Sequence, residues 1–242
     1  MGVGLAFVGF GEAGRAFAPA SSVPAFDIDP ARSTTATLAE ALKGATAILS
    51  VVTADQAPDA AQEAAGCLTK GALYFDMNSV SPETKKEAAA VIEAAGGRYV
   101  DVAVMSPVHP EKRGTPLFVS GPHNAAALDA LSALGFTNVR PVGDEVGQAS
   151  SIKMIRSVMI KGIEALTAEM IMAARAADVE TEVLISLGGD WTAKAAYNLE
   201  RMQAHGRRRA AEMVEVAKTL EALGVVPVMT NGTIVWQQEM AA

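Results

Sequence analysis

Half of the 242 residues are hydrophobic and 19% are charged, so the chain can bury a core in one large domain or two modest ones. The net charge of −7 argues against a nucleic-acid surface, which needs a basic footprint. The single Cys67 excludes an internal disulfide, and no uncharged apolar run reaches the roughly 18 residues of a membrane span. We therefore expect a soluble, cytoplasmic protein that binds neither nucleic acid nor membranes.

Short apolar runs alternate with helical stretches over the first part of the chain. A helix is predicted to start at Ser81-Pro82-Glu83 and another to cover Ala125–Leu134. The runs predicted as strands are Leu5–Val8, Ala25–Asp27, Ala45–Val52, Ala72–Asp76, Arg98–Val104 and Leu117–Ser120, and the segment Val139–Val142 closes the unit. This alternation is typical of an α/β fold with helices on both faces of a parallel sheet. We predict a Rossmann domain with a doubly wound, mostly parallel sheet over residues 1–145.

A glycine-rich turn follows the first predicted strand directly. Glycines let the backbone bend sharply and approach a pyrophosphate, which the N-terminus of the next helix attracts. Such turns are common, so the interpretation depends on the position of this one between a strand and a helix. The residues predicted to bind the cofactor here are Gly9, Phe10, Gly11, Glu12, Ala13 and Gly14.

An acidic residue ends the second predicted strand. Asp27 lies 18 residues after Gly9, close to the spacing of roughly 20 for the acid that holds a ribose 2′-hydroxyl. Asp27 and Asp29 can also be explained as turn formers before Pro30. A carboxylate at position 27 would repel a 2′-phosphate, and the nearest arginine is Arg32, so NAD is favoured over NADP.

The turns after the later strands are predicted to meet at one edge of the sheet, because ligands of such sheets bind at the carboxyl ends of the strands. These turns are Val52-Thr53, Asn78-Ser79 and Met105–His109. Val52, Thr53 and Asn78 are predicted to contact the cofactor. His109 precedes Pro110 closely, and we favour its interpretation as a turn residue.

A long helix is predicted from about Gly147 to Asp178, because the segment holds no proline and its apolar residues recur every three or four positions. Its length of roughly 40 Å suffices to join two structural units. The apolar stripe consists of Ile152, Ile155, Met159, Ile163, Leu166 and Met170. A neighbouring stripe holds Lys153, Arg156, Ser157 and Glu164, which form either a solvated edge or one side of a cleft.

The chain after Asp178 is predicted to be helical. Helices are expected over Glu182–Leu187, over Trp191–Met202, and from His205 to near Gly224. Residues 146–242 are therefore predicted to form an all-α domain for substrate binding and dimerisation, joined to the first by the long helix. Its apolar stripes exceed what so few residues can bury alone, which predicts a homodimer through these helices.

Several segments resemble the β-hydroxyacid dehydrogenases, the superfamily that includes 3-hydroxyisobutyrate and 6-phosphogluconate dehydrogenases. They are VGFGEAG, DMNSVSPETK, DVAVMSP, GTPLFVSG and GQASSIKMIRS, and the tail HGRRRAAEMVEVAKTLEALGVVP resembles the short helical domain of an uncharacterised branch. The resemblance implies hydride transfer between a nicotinamide and a small hydroxy acid or related carbonyl compound. It also implies that Lys153 is the general acid and base.

The chain departs from the family pattern near the implied substrate. Ser157 stands where the family has an asparagine, and Ile160 where 6-phosphogluconate dehydrogenases have an acidic glutamate. Met105, Ser106 and Pro107 replace a serine and two glycines, and proline removes one backbone donor for a carboxylate. Arg156 could supply a replacement fork. The residues implied to bind substrate are Asn78, Met105, Ser106, Arg156 and Ser157.

These features favour an NAD(P)-dependent dehydrogenase or reductase, with NAD as its cofactor and no metal. An imine-type reductase is an alternative, although such relatives lack the lysine that this chain retains at position 153. A non-catalytic NAD-binding sensor or scaffold is the other alternative, because the substrate loop is altered. His205 and Arg207–Arg209 either reach a partner subunit's cleft or form a helix face in which Arg208 pairs with Glu212.

Overall fold

The computed structural model describes residues 3–19 and 23–242. The chain forms two compact units, one up to Lys153 and the other from Met154 to Ala242. The boundary between them falls within a continuous helix. The assignment of residues 1–145 to cofactor binding, and of residues 146–242 to substrate binding and dimerisation, stays a prediction.

The first unit is built on a seven-stranded sheet with the order β2-β1-β3-β4-β5-β6-β7. Neighbouring strands pair in parallel, except that β5 and β6 are antiparallel. The strands are β1 (Leu5–Val8), β2 (Ala25–Phe26), β3 (Ala47–Ser50), β4 (Leu73–Asp76), β5 (Arg98–Val104), β6 (Leu117–Ser120) and β7 (Val139–Gly143). The predicted mostly parallel Rossmann sheet is confirmed, and the six predicted strands are present. The segment predicted to close the unit forms the seventh strand, β7.

Both faces of the sheet are covered by apolar side chains, because successive residues of a strand point to opposite faces. Phe7, Leu49 and Phe75 lie in register on neighbouring strands and belong to one buried cluster. Their chain neighbours Ile48 and Tyr74 belong to the other. Burial on both sides explains why the strands read as continuous apolar runs in the sequence.

Five helices accompany this sheet in the described part of the first unit. They are α1 (Glu12–Phe17), α2 (Leu38–Leu42), α3 (Ala57–Ala65), α4 (Pro82–Ala94) and α5 (Asn124–Ala133). Neither α2 nor α3 was predicted from the sequence. The buried face of α3 consists only of alanines, at positions 57, 60, 61 and 64, so its helical period is present but carries little hydrophobic contrast.

The second unit is helical, as predicted. The long helix α6 (Gln148–Ala176) enters it from the first unit, and α7 (Glu180–Ser186), α8 (Trp191–Ala222) and α9 (Val228–Glu239) follow. The two helices predicted over Trp191–Met202 and from His205 are one continuous helix. Gly206 lies inside α8 and does not interrupt it. The position requires glycine, because a side chain there would overlap the Gln237 carbonyl oxygen and Ala241, just after the end of α9.

In α6, several residues of the apolar stripe are exposed and two residues of the polar stripe are buried, the reverse of the usual amphipathic helix. Ile155, Met159 and Leu166 of the predicted apolar stripe are exposed. Ser157 and Glu164 of the polar stripe are buried, so for these two the solvated-edge interpretation is wrong. Within the described ranges, no helix combines the length and apolar character that crossing a bilayer would require.

Candidate functional site

The glycine turn between β1 and α1 is shaped by close backbone packing. Gly9 has a φ of +84°, and a Cβ atom there would lie 2.8 Å from the Val51 carbonyl oxygen. A Cβ on Gly14 would lie 2.8 Å from the Gly9 carbonyl oxygen. At Gly11 such a Cβ would lie 3.6 Å from Nη1 of Arg32, an ordinary van der Waals contact. Gly9 and Gly14 are therefore required by packing, whereas Gly11 leaves the outer side of the turn open for a ligand.

The carboxylate of Asp27 holds this turn in place. Its Oδ2 accepts a 2.7 Å hydrogen bond from the Phe10 N–H, and its Oδ1 accepts one of 2.9 Å from the Asp29 N–H. Asp27 thus forms the local turn that the sequence suggested as an alternative. A carboxylate has about four acceptor positions, so two remain for hydroxyl donors of a ligand. Glycine turn and acid together fit the pyrophosphate and ribose of a nicotinamide dinucleotide.

Asn78 links the ends of β3 and β4 and is almost fully buried. Its Oδ1 accepts a 2.7 Å hydrogen bond from the Val52 N–H, and its Nδ2 donates 2.9 Å to the Ser50 hydroxyl. Asn78 therefore fixes the backbone of the predicted cofactor residue Val52. The next residue, Thr53, is exposed, and its hydroxyl lowers the pKa of the Asp55 carboxyl beside it.

Lys153 lies in the second turn of α6, and its side chain reaches the turn after β4. Its Nζ donates a 2.6 Å hydrogen bond to the Ser79 hydroxyl, across 74 positions in sequence. The side chains are partly buried. Ser79 was not among the predicted site residues, although it follows Asn78 in the same turn. Lysine and serine together place a proton donor beside the carboxyl ends of the parallel strands.

The predicted substrate residues do not share one environment. Met105 follows β5, where its N–H donates to the Pro116 carbonyl oxygen at 2.9 Å. Ser106 is exposed, and its hydroxyl lies 3.3 Å from the Pro107 carbonyl oxygen. Arg156 and Ser157 belong to the second unit. Arg156 is exposed, whereas Ser157 is buried and accepts a hydrogen bond of 3.5 Å from Lys161.

Lys161 itself is buried and pairs with Glu212 at 2.8 Å. The three arginines of the tail also separate. Arg208 lies 3.9 Å from Glu212 one turn on, as the helix-face interpretation predicted, and Arg207 is exposed. Arg209 is buried and pairs with Glu164 inside the second unit. Arg209 is therefore part of the core of that unit.

A buried polar network below the sheet edge was not predicted. Asp76, Lys85, Tyr99 and Asp101 are almost completely inaccessible to solvent and contact one another. Burial raises the pKa of Tyr99 well above its usual value, and the charges of Asp76 and Asp101 add to this effect. The sequence signal was present. Lys85 occupies the inner stripe of α4 with Ala88, Ala89 and Ile92, where a charge requires buried partners.

The doubly wound sheet and the open glycine turn define the class: an NAD(P)-binding protein with the fold of the 3-hydroxyacid dehydrogenases. Residues 15–137 match the NAD binding domain of 6-phosphogluconate dehydrogenase, and residues 174–240 match a domain of unknown function, DUF1932. The chain belongs to the family of that NAD-binding domain. Since the match starts at residue 15, the glycine turn is assigned from its own geometry.

The relatives support this membership. An uncharacterised 28.5 kDa protein of Methanothermus fervidus is 30% identical over 79% of this chain and 74% of its own length. The structure of a conserved hypothetical protein from Sinorhizobium meliloti is 36% identical, with a TM-score of 0.74 over 98% of this chain and 88% of that one. Mycobacterium tuberculosis 3-hydroxyisobutyrate dehydrogenase shares the fold, at 14% identity and a TM-score of 0.75 over 99% and 94% of the two chains.

Proposed function

We propose that the protein is an NAD-dependent oxidoreductase that acts on a small hydroxy acid or a related carbonyl compound. The observation that carries this proposal is the 2.6 Å hydrogen bond between Lys153 and Ser79 at the carboxyl edge of a nucleotide-binding sheet. A lysine held by a hydroxyl group at that edge is oriented for proton transfer to a substrate oxygen. The shared fold by itself supports only cofactor binding, because one fold hosts many activities.

Bound nicotinamide supplies or accepts the hydride, and the chain has to position the substrate and move one proton. In the reductive direction, the Lys153 ammonium donates a proton to the carbonyl oxygen as it gains negative charge. In the oxidative direction, the neutral amine accepts the hydroxyl proton. Ser79 accepts one N–H of the lysine, which limits the rotation of its Nζ and orients the ammonium group.

The carboxylate of Asp27 favours NAD over NADP. Two backbone N–H groups already hold this carboxylate next to the glycine turn. A 2′-phosphate bound there would bring a second negative charge close to it, whereas a ribose hydroxyl could donate to it. Arg32 lies by the same turn, but its Nε pairs with Asp29 at 3.1 Å.

Replacing Lys153 by methionine tests the proposal. Methionine keeps the length and removes the proton donor, so turnover on a hydroxy acid from a substrate panel should fall by about a hundredfold or more. The NADH dissociation constant, measured by nicotinamide fluorescence, should stay within about threefold of wild type, since the cofactor turn is untouched. More than about a tenth of the wild-type turnover would contradict the role of Lys153.

The matched control is Lys86→Met, because Lys86 is exposed and pairs with Glu83 on the surface of α4. Lys161, two turns beyond Lys153 on α6, is unsuitable as a control, because it is buried and paired with Glu212. NADH binding without turnover on any hydroxy acid or imine would favour a non-catalytic sensor instead.

A further inference from the structure

Lys85 is a cation with no exposure to solvent. Its Nζ donates to the carbonyl oxygen and, at 2.9 Å, to Oδ1 of Asp76, and it lies 3.5 Å from Oδ1 of Asp101. Both carboxylates are as deeply buried as the lysine. Burying three charges is costly, and the arrangement persists only because each group has oppositely charged or hydrogen-bonding partners.

The second oxygen of Asp101 caps the start of α6. Oδ2 accepts hydrogen bonds from the N–H groups of Gly147, at 3.1 Å, and Ser150, at 3.0 Å. The hydroxyl groups of Ser150 and Ser120 donate to the same oxygen, and Ser120 Oγ accepts from the Ala149 N–H. The first turn of α6 is thus capped by side chains of β5 and β6. The partial positive charge of the helix end offsets the carboxylate that Lys85 leaves unneutralised.

Asp76 performs the corresponding task for the turn after β4. Its Oδ1 accepts the Asn78 N–H at 3.0 Å, and its Oδ2 accepts the Tyr99 hydroxyl at 2.6 Å. Ser79 follows Asn78 directly, so the backbone that carries the serine is held one residue away from Asp76. One buried lysine therefore contacts both anchors, the carboxylate that fixes the Ser79 turn and the carboxylate that fixes the helix of Lys153.

We propose that Lys85 is a positioning residue for the Lys153–Ser79 pair, acting through Asp76 and Asp101. The proposal rests on the proposed function insofar as Lys153 is catalytic. Without the ammonium group, two buried carboxylates face each other without a cation between them. Their repulsion is relieved by displacement of the β4 turn, of the first turn of α6, or of both. Either displacement moves the serine and the lysine relative to each other.

The test compares Lys85→Met with Lys86→Met, two changes of the same chemistry at adjacent positions of α4. Lys86 is exposed, so its variant should match wild type in every measurement. Lys85→Met should reduce kcat by about ten- to a hundredfold, the usual effect of misplacing a catalytic group by about 1 Å. NADH affinity should stay within about threefold, because the contacts between Asp27 and Phe10 remain.

A second readout does not depend on activity. Hydrogen exchange of the amides in residues 147–153 should be about tenfold faster in Lys85→Met than in Lys86→Met, under conditions where both are folded. Asp101→Asn removes the capping charge but keeps the shape, so it should show the same two changes. If Lys85→Met does not fold, the kcat and the hydrogen exchange of Asp101→Asn test the proposal.

Folded variants with wild-type kcat, or with reduced kcat and unchanged exchange over residues 147–153, would overturn the proposal. A parallel loss of NADH affinity and kcat would also overturn it, because it would indicate general destabilisation. If Lys153→Met retains turnover, the proposed function fails, and the exchange measurement still reports whether Lys85 positions α6.

Discussion

The carboxylate of Asp27 has a structural role, and the proposed function gives it a second role in cofactor selection. Its hydrogen bond to the Phe10 N–H holds the glycine turn, and its charge faces the position expected for the adenosine ribose. We expect NADH to bind at least about tenfold more tightly than NADPH, a difference of about 1.4 kcal/mol. Titration of both cofactors by nicotinamide fluorescence measures this ratio, and equal affinities would contradict it.

Asp27→Ser should shift the affinity ratio toward NADPH by about tenfold, because the repelling charge is gone. It should also weaken NADH binding, since the turn loses an acceptor for the Phe10 N–H. Asp129→Ser is the control, because Asp129 is an exposed carboxylate on α5, outside the glycine turn. It should leave the ratio nearly unchanged.

Two tyrosines at the sheet make the fold sensitive to alkali. Burial raises the pKa of Tyr74 and of Tyr99 well above 10, and the nearby charge of Asp76 contributes to both shifts. A raised pKa in the folded state means that the unfolded chain loses these protons first. Their stabilising contribution is therefore complete below about pH 10 and is lost above it, by about 1.4 kcal/mol per pH unit for each buried phenol.

Urea unfolding between pH 8 and pH 11, about three pH units that span the usual pKa of tyrosine, measures this slope. Tyr99→Phe should make the slope shallower by the share of one phenol, although it also lowers stability at neutral pH by removing the hydrogen bond to Asp76. Tyr197 is exposed, so Tyr197→Phe should leave the slope as it is. An unchanged slope in Tyr99→Phe would contradict the prediction.

At the scale of elements, the contact between α8 and α9 depends on a helical glycine. Gly206→Ala should lower the free energy of unfolding by about 1–3 kcal/mol, because the methyl group would overlap the backbone of Gln237. Gly232→Ala, in the exposed middle of α9, places its methyl group in open space among the described residues. It should raise the free energy of unfolding by about 1 kcal/mol, the usual helix preference of alanine over glycine.

Thermal or urea denaturation of the two variants gives both signs in one experiment. Equal effects would mean that helix preference, and not the closeness of the two helices, determines the result.

The buried face of α6 holds charged side chains in ion pairs. Glu164 accepts from Arg209 and, at 2.9 Å, from Gln237, so three helices of the second unit meet at one buried carboxylate. Lys161 makes a second buried pair with Glu212. Such pairs add little net stability compared with apolar packing, but they tolerate only one arrangement of the helices. We expect Glu164, the buried carboxylate of the polar stripe, to specify how these helices pack.

For the whole molecule, the exposed apolar side of α6 indicates self-association. Met159 is 66% exposed and Leu166 53%, and exposed apolar stripes of this kind mark interaction surfaces. We propose that a second copy of the chain covers this stripe and that the protein is a homodimer, as the C-terminal composition predicted. Light scattering at micromolar concentration should give twice the monomer mass.

Met159→Glu should shift this equilibrium toward monomers, because dimerisation would bury an unpaired charge. Val226→Glu is the control, since Val226 is more exposed than Met159 but lies outside α6, between α8 and α9. A wild-type monomer, or equal effects of the two substitutions, would exclude α6 as the interface.

The sequence by itself determined six of the seven strands, the glycine turn and the helical nature of the second unit. Each of these features is written in a local pattern. The central strands are buried on both faces and so appear as unbroken apolar runs, and the turn requires glycine where Val51 and Gly9 approach. β7 is partly exposed and contains Arg140, so it lacks such a run. The antiparallel direction of β6 has a local cause, because the segment between β5 and β6 holds a 3₁₀ helix of three residues, Lys112–Gly114, which is too short for a parallel crossover.

Only the tertiary structure decided which polar side chains meet. Lys153 and Ser79 are 74 positions apart, and Asp101 caps α6 through the N–H of Gly147, 46 positions later. The two lysines of α4 are neighbours in sequence, yet one is fully buried between two carboxylates and the other lies in solvent. A local pattern shows which residues belong to a strand or a helix. The partner of a buried charge is set by how those elements pack, since only packing removes the solvent that would otherwise serve as its partner.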